Sequence, residues 1–333
     1  MFKVRLFSRA LVAVAIGSLA LPSCNGGSAI PNGPGAAQPG TQLPSFRHPI
    51  EPNGAATALY VSDWFGKSVF RFARNADGTL VTPAGSSLVL SYNPGPIAIG
   101  VGGNLYVTDE DAESLFVYPK GATGNQAPIR QLALPFVPDC VAVDRAGHEF
   151  VGGFTNGYVA VYAKGAHGSA QTLQRIALPD GHPDINGVAV DSAGNLYVSD
   201  TNEVSEFATP VTNPTLKRAI VGTGQQNAPT GMAPNNKTGE LYVANPGDND
   251  ILAYAPSANG TSSPKRTITS SNPSLIGPVG VALAGSVLYS TSGTTLHGPP
   301  SIFVLNPLQA GQTPKQVVTG SYLALPIGAA VGP

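Results

Sequence analysis

Gly187-Val-Ala-Val-Asp-Ser-Ala-Gly-Asn-Leu-Tyr-Val-Ser-Asp200 decides the fold. Its first part, Gly187 to Val190, is a short apolar run with a small residue at its centre. Its last part, Leu196 to Ser199, is a second strand built around an aromatic ring. Between them, Asp191-Ser-Ala-Gly-Asn195 supplies the Asp, Gly and Asn that a tight hairpin needs. The same pattern recurs along the chain. Its aromatic residue stands at positions 60, 106, 150, 197, 242 and 289, with separations of 46, 44, 47, 45 and 47. A period of this length marks units that bury their faces only against one another.

The small-centred strand reappears as Ile97-Ala98-Ile99, Val141-Ala142-Val143, Met232-Ala233-Pro234 and Val281-Ala282-Leu283, often just after a Pro such as Pro138, Pro229 or Pro278. A third strand follows each aromatic one (Val69 to Phe72 in the first unit), and a fourth follows a Gly/Pro/Asn loop (Leu88 to Leu90). Four antiparallel strands repeated six times predict an all-β chain, a six-bladed β-propeller. The recurring Ala is expected to mark the crowded axis. The first unit has no small-centred strand of its own, but Pro326-Ile-Gly-Ala-Ala-Val-Gly332 provides a sixth copy at the far end. That strand is expected to complete blade 1 and close the ring, leaving no free sheet edge.

The stretch from Gly187 to Asp200 resembles the core of the NHL repeat, and the likeness extends over about 280 residues. The resemblance implies a propeller and leaves the activity open, because one propeller serves enzymes and passive binders alike. Lactonase-like members hold a central divalent metal with carboxylates and amides, for which Asp139, Asp184, Asn186 and Asn227 are the candidates here. Lyase-like members use a His and an acid near the axis, which directs attention to His182 and His297.

The N-terminus carries a different signal. Lys3, Arg5 and Arg9 precede an apolar run from Leu11 to Leu21, too short to span a bilayer comfortably, and then Leu21-Pro-Ser-Cys24. This resembles a bacterial lipobox, and implies that residues 1–23 are a lipoprotein signal peptide and that Cys24 is lipidated. The alternative is an ordinary secretory signal. Residues 24–53 are rich in Gly, Pro, Asn and Ala without apolar periodicity, the composition of a flexible tether. The propeller is assigned to 54–333. On this reading the protein is exported and anchored to a bacterial membrane.

Composition narrows the function classes. With 40 Gly and 31 Pro in 333 residues and only 11% charged side chains, helical bundles and coiled coils are excluded. Lys and Arg number 18 against 19 Asp and Glu, so nothing suggests a nucleic-acid partner. Beyond Cys24 the only cysteine is Cys140, which rules out an intramolecular disulfide and reads as a buried, inert thiol. Gly66-Lys67-Ser68 joins two strands rather than opening a helix, so it is no phosphate loop.

Loops joining second to third strands share one face, the upper face, with those entering each blade. Polar residues concentrate there. The position after each aromatic strand holds Asp63, Asp109, Gly153, Asp200, Asn245 and Ser292, which reads as turn chemistry rather than a ring of cation ligands. Asp144 and Asp191 read as hairpin-turn residues on the lower face. Pro179-Asp-Gly-His-Pro-Asp-Ile-Asn186 breaks the repeat, with Ile185 where Pro is usual. His182 there is a candidate general base or metal ligand, oriented by Asp184. Trp64, Asp139, Asn186 and His297 are candidate ligand contacts, with Asp139 and Asp184 the candidate metal ligands. The first functional reading is a scaffold that binds a protein, peptide or glycan and calls for no cofactor. The second is a metal-dependent lactonase-like hydrolase or a streptogramin-lyase-like enzyme at the channel mouth. Replacing Cys24 with Ala should leave a soluble product or an unprocessed precursor in membrane fractionation; an unchanged membrane fraction would refute the anchor.

Overall fold

The computed structural model describes residues 57–153, 156–179, 181, 183–221, 229–271, 273–292 and 299–333. Among these there is no helix. Six four-stranded antiparallel blades follow one another around a ring, the inner strand of each touching the inner strands of its neighbours, and Gly311–Gln312 adds a short parallel pairing to the outer edge of blade 5. Blade 4 is the plainest: Gly187–Val190, Leu196–Ser199, Glu203–Ala208 and Thr215–Val221, in that spatial order. The other inner strands are Ile97–Ile99, Pro138–Val143, Met232–Pro234 and Pro278–Ala284, in blades 2, 3, 5 and 6. Blade 1 takes its inner strand from Pro326–Gly332, which pairs with Ala58–Asp63 and sets Ala330 opposite Tyr60. The ring is closed by the chain's last strand, as expected. Outer strands begin or end a residue or two from their expected positions.

The core is not one mass but six apolar clusters, each built from two adjacent blades. One joins Ala189 and Tyr197 of blade 4 to Met232, Leu241, Val243 and Leu252 of blade 5. Another joins Ala282 and Tyr289 of blade 6 to Leu59, Val61 and Phe72 of blade 1. Each fully buried apolar side chain is worth roughly 1.5–3 kcal/mol, so the strength of the ring lies between its blades.

This geometry reassigns the recurring Ala. In every blade it lies directly across from the aromatic residue, as in the pairs Ala98–Tyr106, Ala142–Phe150 and Ala189–Tyr197. It is small because a ring and the next blade share its space. Crowding at the axis falls two residues earlier, on Gly187, Gly231, Gly280 and Gly328. A Cβ on Gly231 would come 2.5 Å from Val279 O, and one on Gly280 2.5 Å from Ile327 O, both in the next inner strand. Blade 3 makes an exchange at this level. Cys140 occupies the glycine position and pairs with Gly152, where Ser199 faces Gly187 in blade 4. A Cβ on Gly152 would meet Cys140 Sγ at 2.6 Å and Ile185 Cγ2 at 2.5 Å. Cys140 is buried and forms no disulfide, as its position suggested.

Outer edges are covered by a recurring staple. In blade 1, Val89 N donates to Gly124 O at 2.7 Å and Gly124 N to Ser87 O at 2.8 Å, tying the outer strand to a lower loop of blade 2. Ala133 and Gly168 repeat this between blades 2 and 3, and Val221 and Gly260 between blades 4 and 5. The Lys120 to Gly124 and Lys164 to Gly168 loops are therefore structural. Between blades 6 and 1 a side chain takes over: Leu80 N donates to Gln316 Oε1 at 2.6 Å, and Gln316 Nε2 donates to Leu80 O at 2.9 Å. Deleting residues 323–333 removes the inner strand of blade 1, taking Leu323, Ala329 and Val331 from one interblade cluster and Ala330 from another. Cooperative thermal unfolding should be lost and the product should aggregate; an unchanged melting profile would contradict closure.

Candidate functional site

The upper face is built from second-to-third-strand loops and blade-to-blade connections. Its recurring acids are fixed by the turns they begin. Asp109 Oδ1 accepts from Asp111 N at 3.0 Å and Ala112 N at 3.2 Å. Asp200 Oδ1 accepts from Asn202 N and Glu203 N, both at 2.7 Å. Asp63 does more. Its Oδ1 accepts from Gly66 N at 2.8 Å and Leu325 N at 2.9 Å, and its Oδ2 from Ala324 N at 2.7 Å. Trp64 N adds a bond to Leu325 O at 2.9 Å. One carboxylate thus holds its own loop and the segment leading into the closing strand. These bonds are the turn chemistry expected of the position, and Asp144 and Asp191 cap lower hairpins likewise.

Asn245 departs from the pattern because it donates. Its Nδ2 reaches Asp250 Oδ1 at 2.8 Å and Asp248 Oδ2 at 3.1 Å, so the acid of the pair stands on the third strand, where blade 1 has Asp63 on the second strand opposite Ser68. Asp250 is buried, and desolvation raises its pKa to about 6; the bond from Asn245 opposes the rise and the charge of Asp248 adds to it. Burial also raises Asp109 above the usual carboxylate range. The upper-face residues singled out from the sequence include Asn245 but not Asp250, which the repeat places at the first residue of a third strand.

The other candidates separate. Asn186 is spent on backbone: its Nδ2 donates to Asp200 O at 2.7 Å and its N–H to Ser199 O at 2.8 Å. Asp139 is half-buried at the bulge between Pro138 and Cys140, and Asp184 is half-buried at the entry to blade 4. Ile185, the departure that drew attention to this segment, is fully buried against Gly152, so packing explains it. Trp64 is half-buried beside Phe65, the only aromatic among the described residues that is more than a third exposed, at 49%. Cys24, His182, Asn227 and His297 lie outside the described residues. Among the described residues no three His, Cys, Asp or Glu side chains converge to hold a metal ion, so no metal step is derived. A lower-face depression beside Asp191, Tyr197 and Asn236 measures only about 130 Å³, below the size of ordinary ligand pockets.

Comparison with known proteins adds the fold and nothing finer. The sequence matches no protein-family model and no curated protein. Among solved structures, a chain of a nidogen/laminin complex aligns at TM-score 0.65 and 17% identity, over 83% of this chain and 98% of that one. A protein of unknown function from Bacteroides caccae gives 0.60 at 13%, over 82% and 98%. A streptogramin B lyase gives 0.52 at 13%, over 83% and 87%. The shared feature is the six-bladed propeller.

The Asp250 value carries a consequence for stability. Its folded pKa stands above the ordinary 3.8, so between about pH 4 and 6 the folded state holds a proton that the unfolded state releases. Its contribution to stability therefore grows as pH falls through 6, and at neutral pH the buried charge is a cost. Asp250→Asn keeps an acceptor for Asn245 and should raise the melting temperature by about 2–5 °C at pH 7.5. The gain should vanish near pH 4. A lower melting temperature at pH 7.5 would contradict this account.

Proposed function

We propose that the chain is an exported, lipid-anchored propeller of NHL-like type whose upper face binds a partner protein or peptide. The observation behind this reading is the Asp63 clamp, which holds the loop carrying Trp64 and Phe65 at both its own turn and the segment leading into the closing strand. A side chain on a loop fixed in this way loses little freedom on binding. Aromatic residues with one face packed and one open are common anchors in interfaces. Around them, Glu110, Asp111 and Glu113 in blade 2 give the face an acidic field, which favours a cationic partner. The enzymatic alternative gains no specific support from the described residues.

Trp64 is the only tryptophan in the sequence, so the proposed contact carries its own reporter. An arginine-rich decapeptide should shift its fluorescence, whereas an acidic decapeptide should not. Phe65→Ala, and separately Asp111→Asn with Glu113→Gln, should each weaken the response about tenfold without altering the melting temperature. No response to the cationic peptide would overturn this reading. Metal-dependent lactone hydrolysis or streptogramin ring opening by the purified chain would replace it with the enzymatic one.

A further inference from the structure

The charges of the described residues are divided between the two ends of the blades in a way that the net charge conceals. Of the 14 Lys and Arg among the described residues, only Lys67 is on the upper loops, and the other 13 lie in the lower half. Of the 17 Asp and Glu, 11 are upper and 6 lower. The formal charge of the described residues is therefore −10 above and +7 below, a net of −3 that hides the separation. Lower carboxylates are largely committed: Glu149 to Arg130, Glu206 to Lys217 and Arg218, and Glu240 to Lys265 and Arg266. Those last two cations pull Glu240 down to about 2. Lys120, Arg145, Lys164 and Lys237 stand outside these pairs, exposed on lower loops of blades 2, 3 and 5.

Two further observations concern the same face. Val101, in the lower hairpin of blade 2, is 60% exposed, and Leu308, in a lower loop of blade 6, is 67% exposed. Apolar tips among cations suit an interface of headgroups and acyl chains. The chain also enters the ring from below: Thr57 N donates to Gly332 O at 3.0 Å, and Ala58–Asp63 runs from there to the upper face. Thr57, the first described residue, therefore stands on the cationic side.

We infer that the lower face docks on a bilayer containing anionic phospholipid headgroups, with the exposed lysines on phosphates and Val101 and Leu308 entering the interface. The acidic upper face then points away from the membrane. The inference rests on the membrane-anchored reading for its setting, while the contact itself needs no acyl chain. Anchoring through Cys24 would supply retention, and the lower face would supply orientation.

The strands from Ala58 to Gly332 close on themselves, so residues 54–333 can be tested without a lipid. The probe is a vesicle of phosphatidylcholine with 30% phosphatidylglycerol, read by flotation. Binding is expected at 20 mM salt and should fall at least about tenfold at 200 mM, with little binding to pure phosphatidylcholine. Lys120→Glu, Lys164→Glu and Lys237→Glu together should weaken it by about 100-fold. Val101→Asp with Leu308→Asp should weaken it as well, and Asp111→Lys with Glu113→Lys on the upper face should not. Equal binding to both vesicles, no binding, or binding to soluble polyphosphate without vesicles would overturn the inference. Failure of Cys24 acylation would leave this binding intact, and failure here would leave the Trp64 titration intact.

Discussion

A four-stranded blade of this sequence has two apolar faces and no layer of its own to cover them. Everything else in the molecule answers that constraint. Each face is buried only by the next blade, so a chain of blades with free ends would leave two faces wet. Closure by Pro326–Gly332 removes both at once and places Val331 and Ala329 in the cluster with Leu59 and Val61. The same pressure selects the residue types: an aromatic on the second strand fills the wedge between diverging blades, and Ala opposite leaves it room. Gly two residues earlier allows the inner strands to approach backbone to backbone.

Polar groups are subject to the same geometry. Near the axis Ser199 Oγ donates to Thr230 O, Thr230 Oγ1 to Val279 O, and Thr291 Oγ1 to Ile327 O, each crossing into the next blade. At the upper rim the recurring carboxylates fold their turns. Asp63, Asp109 and Asp200, which look like part of a ring of ligands when the repeats are aligned, are thus accounted for by backbone donors. Recurrence around a ring points to what every blade needs, and a binding site needs asymmetry. Here the asymmetry lies in the Trp64–Phe65 loop and in blade 2's run of acids.

The fold was legible because its signals are periodic. Tyr60, Tyr106, Phe150, Tyr197, Tyr242 and Tyr289 recur at one spacing, and the missing strand at one end is found at the other. The reason given for the Ala was less accurate, since a one-dimensional repeat shows that a position is small without showing what crowds it. Ile185 illustrates the same limit: it breaks the pattern because Gly152, 33 positions earlier, leaves a hollow. No local reading of Pro179 to Asn186 contains that partner. For the site, turn-forming Asp and Asn could be assigned from residue type, but Asp250 could not, because its partner, Asn245, lies across the strand pair.

The charge separation was present in the sequence yet invisible in the total. Carboxylates cluster after second strands, whereas Lys and Arg cluster in the Pro-Lys and Lys-Arg pairs around outer strands. Only the alternation of strand direction turns those two habits into opposite poles. Some of the lower cations have structural work, since Arg218 donates to Pro256 O and Ala258 O of blade 5 and Arg266 to Pro307 O of blade 6. That work explains cations at the outer strands but not at Lys120, Arg145, Lys164 and Lys237, which serve no such bond. A fold that needed only its staples would place these four on either face. Their position on the face where the chain enters, beside exposed Val101 and Leu308, is what gives the molecule a direction as well as a shape.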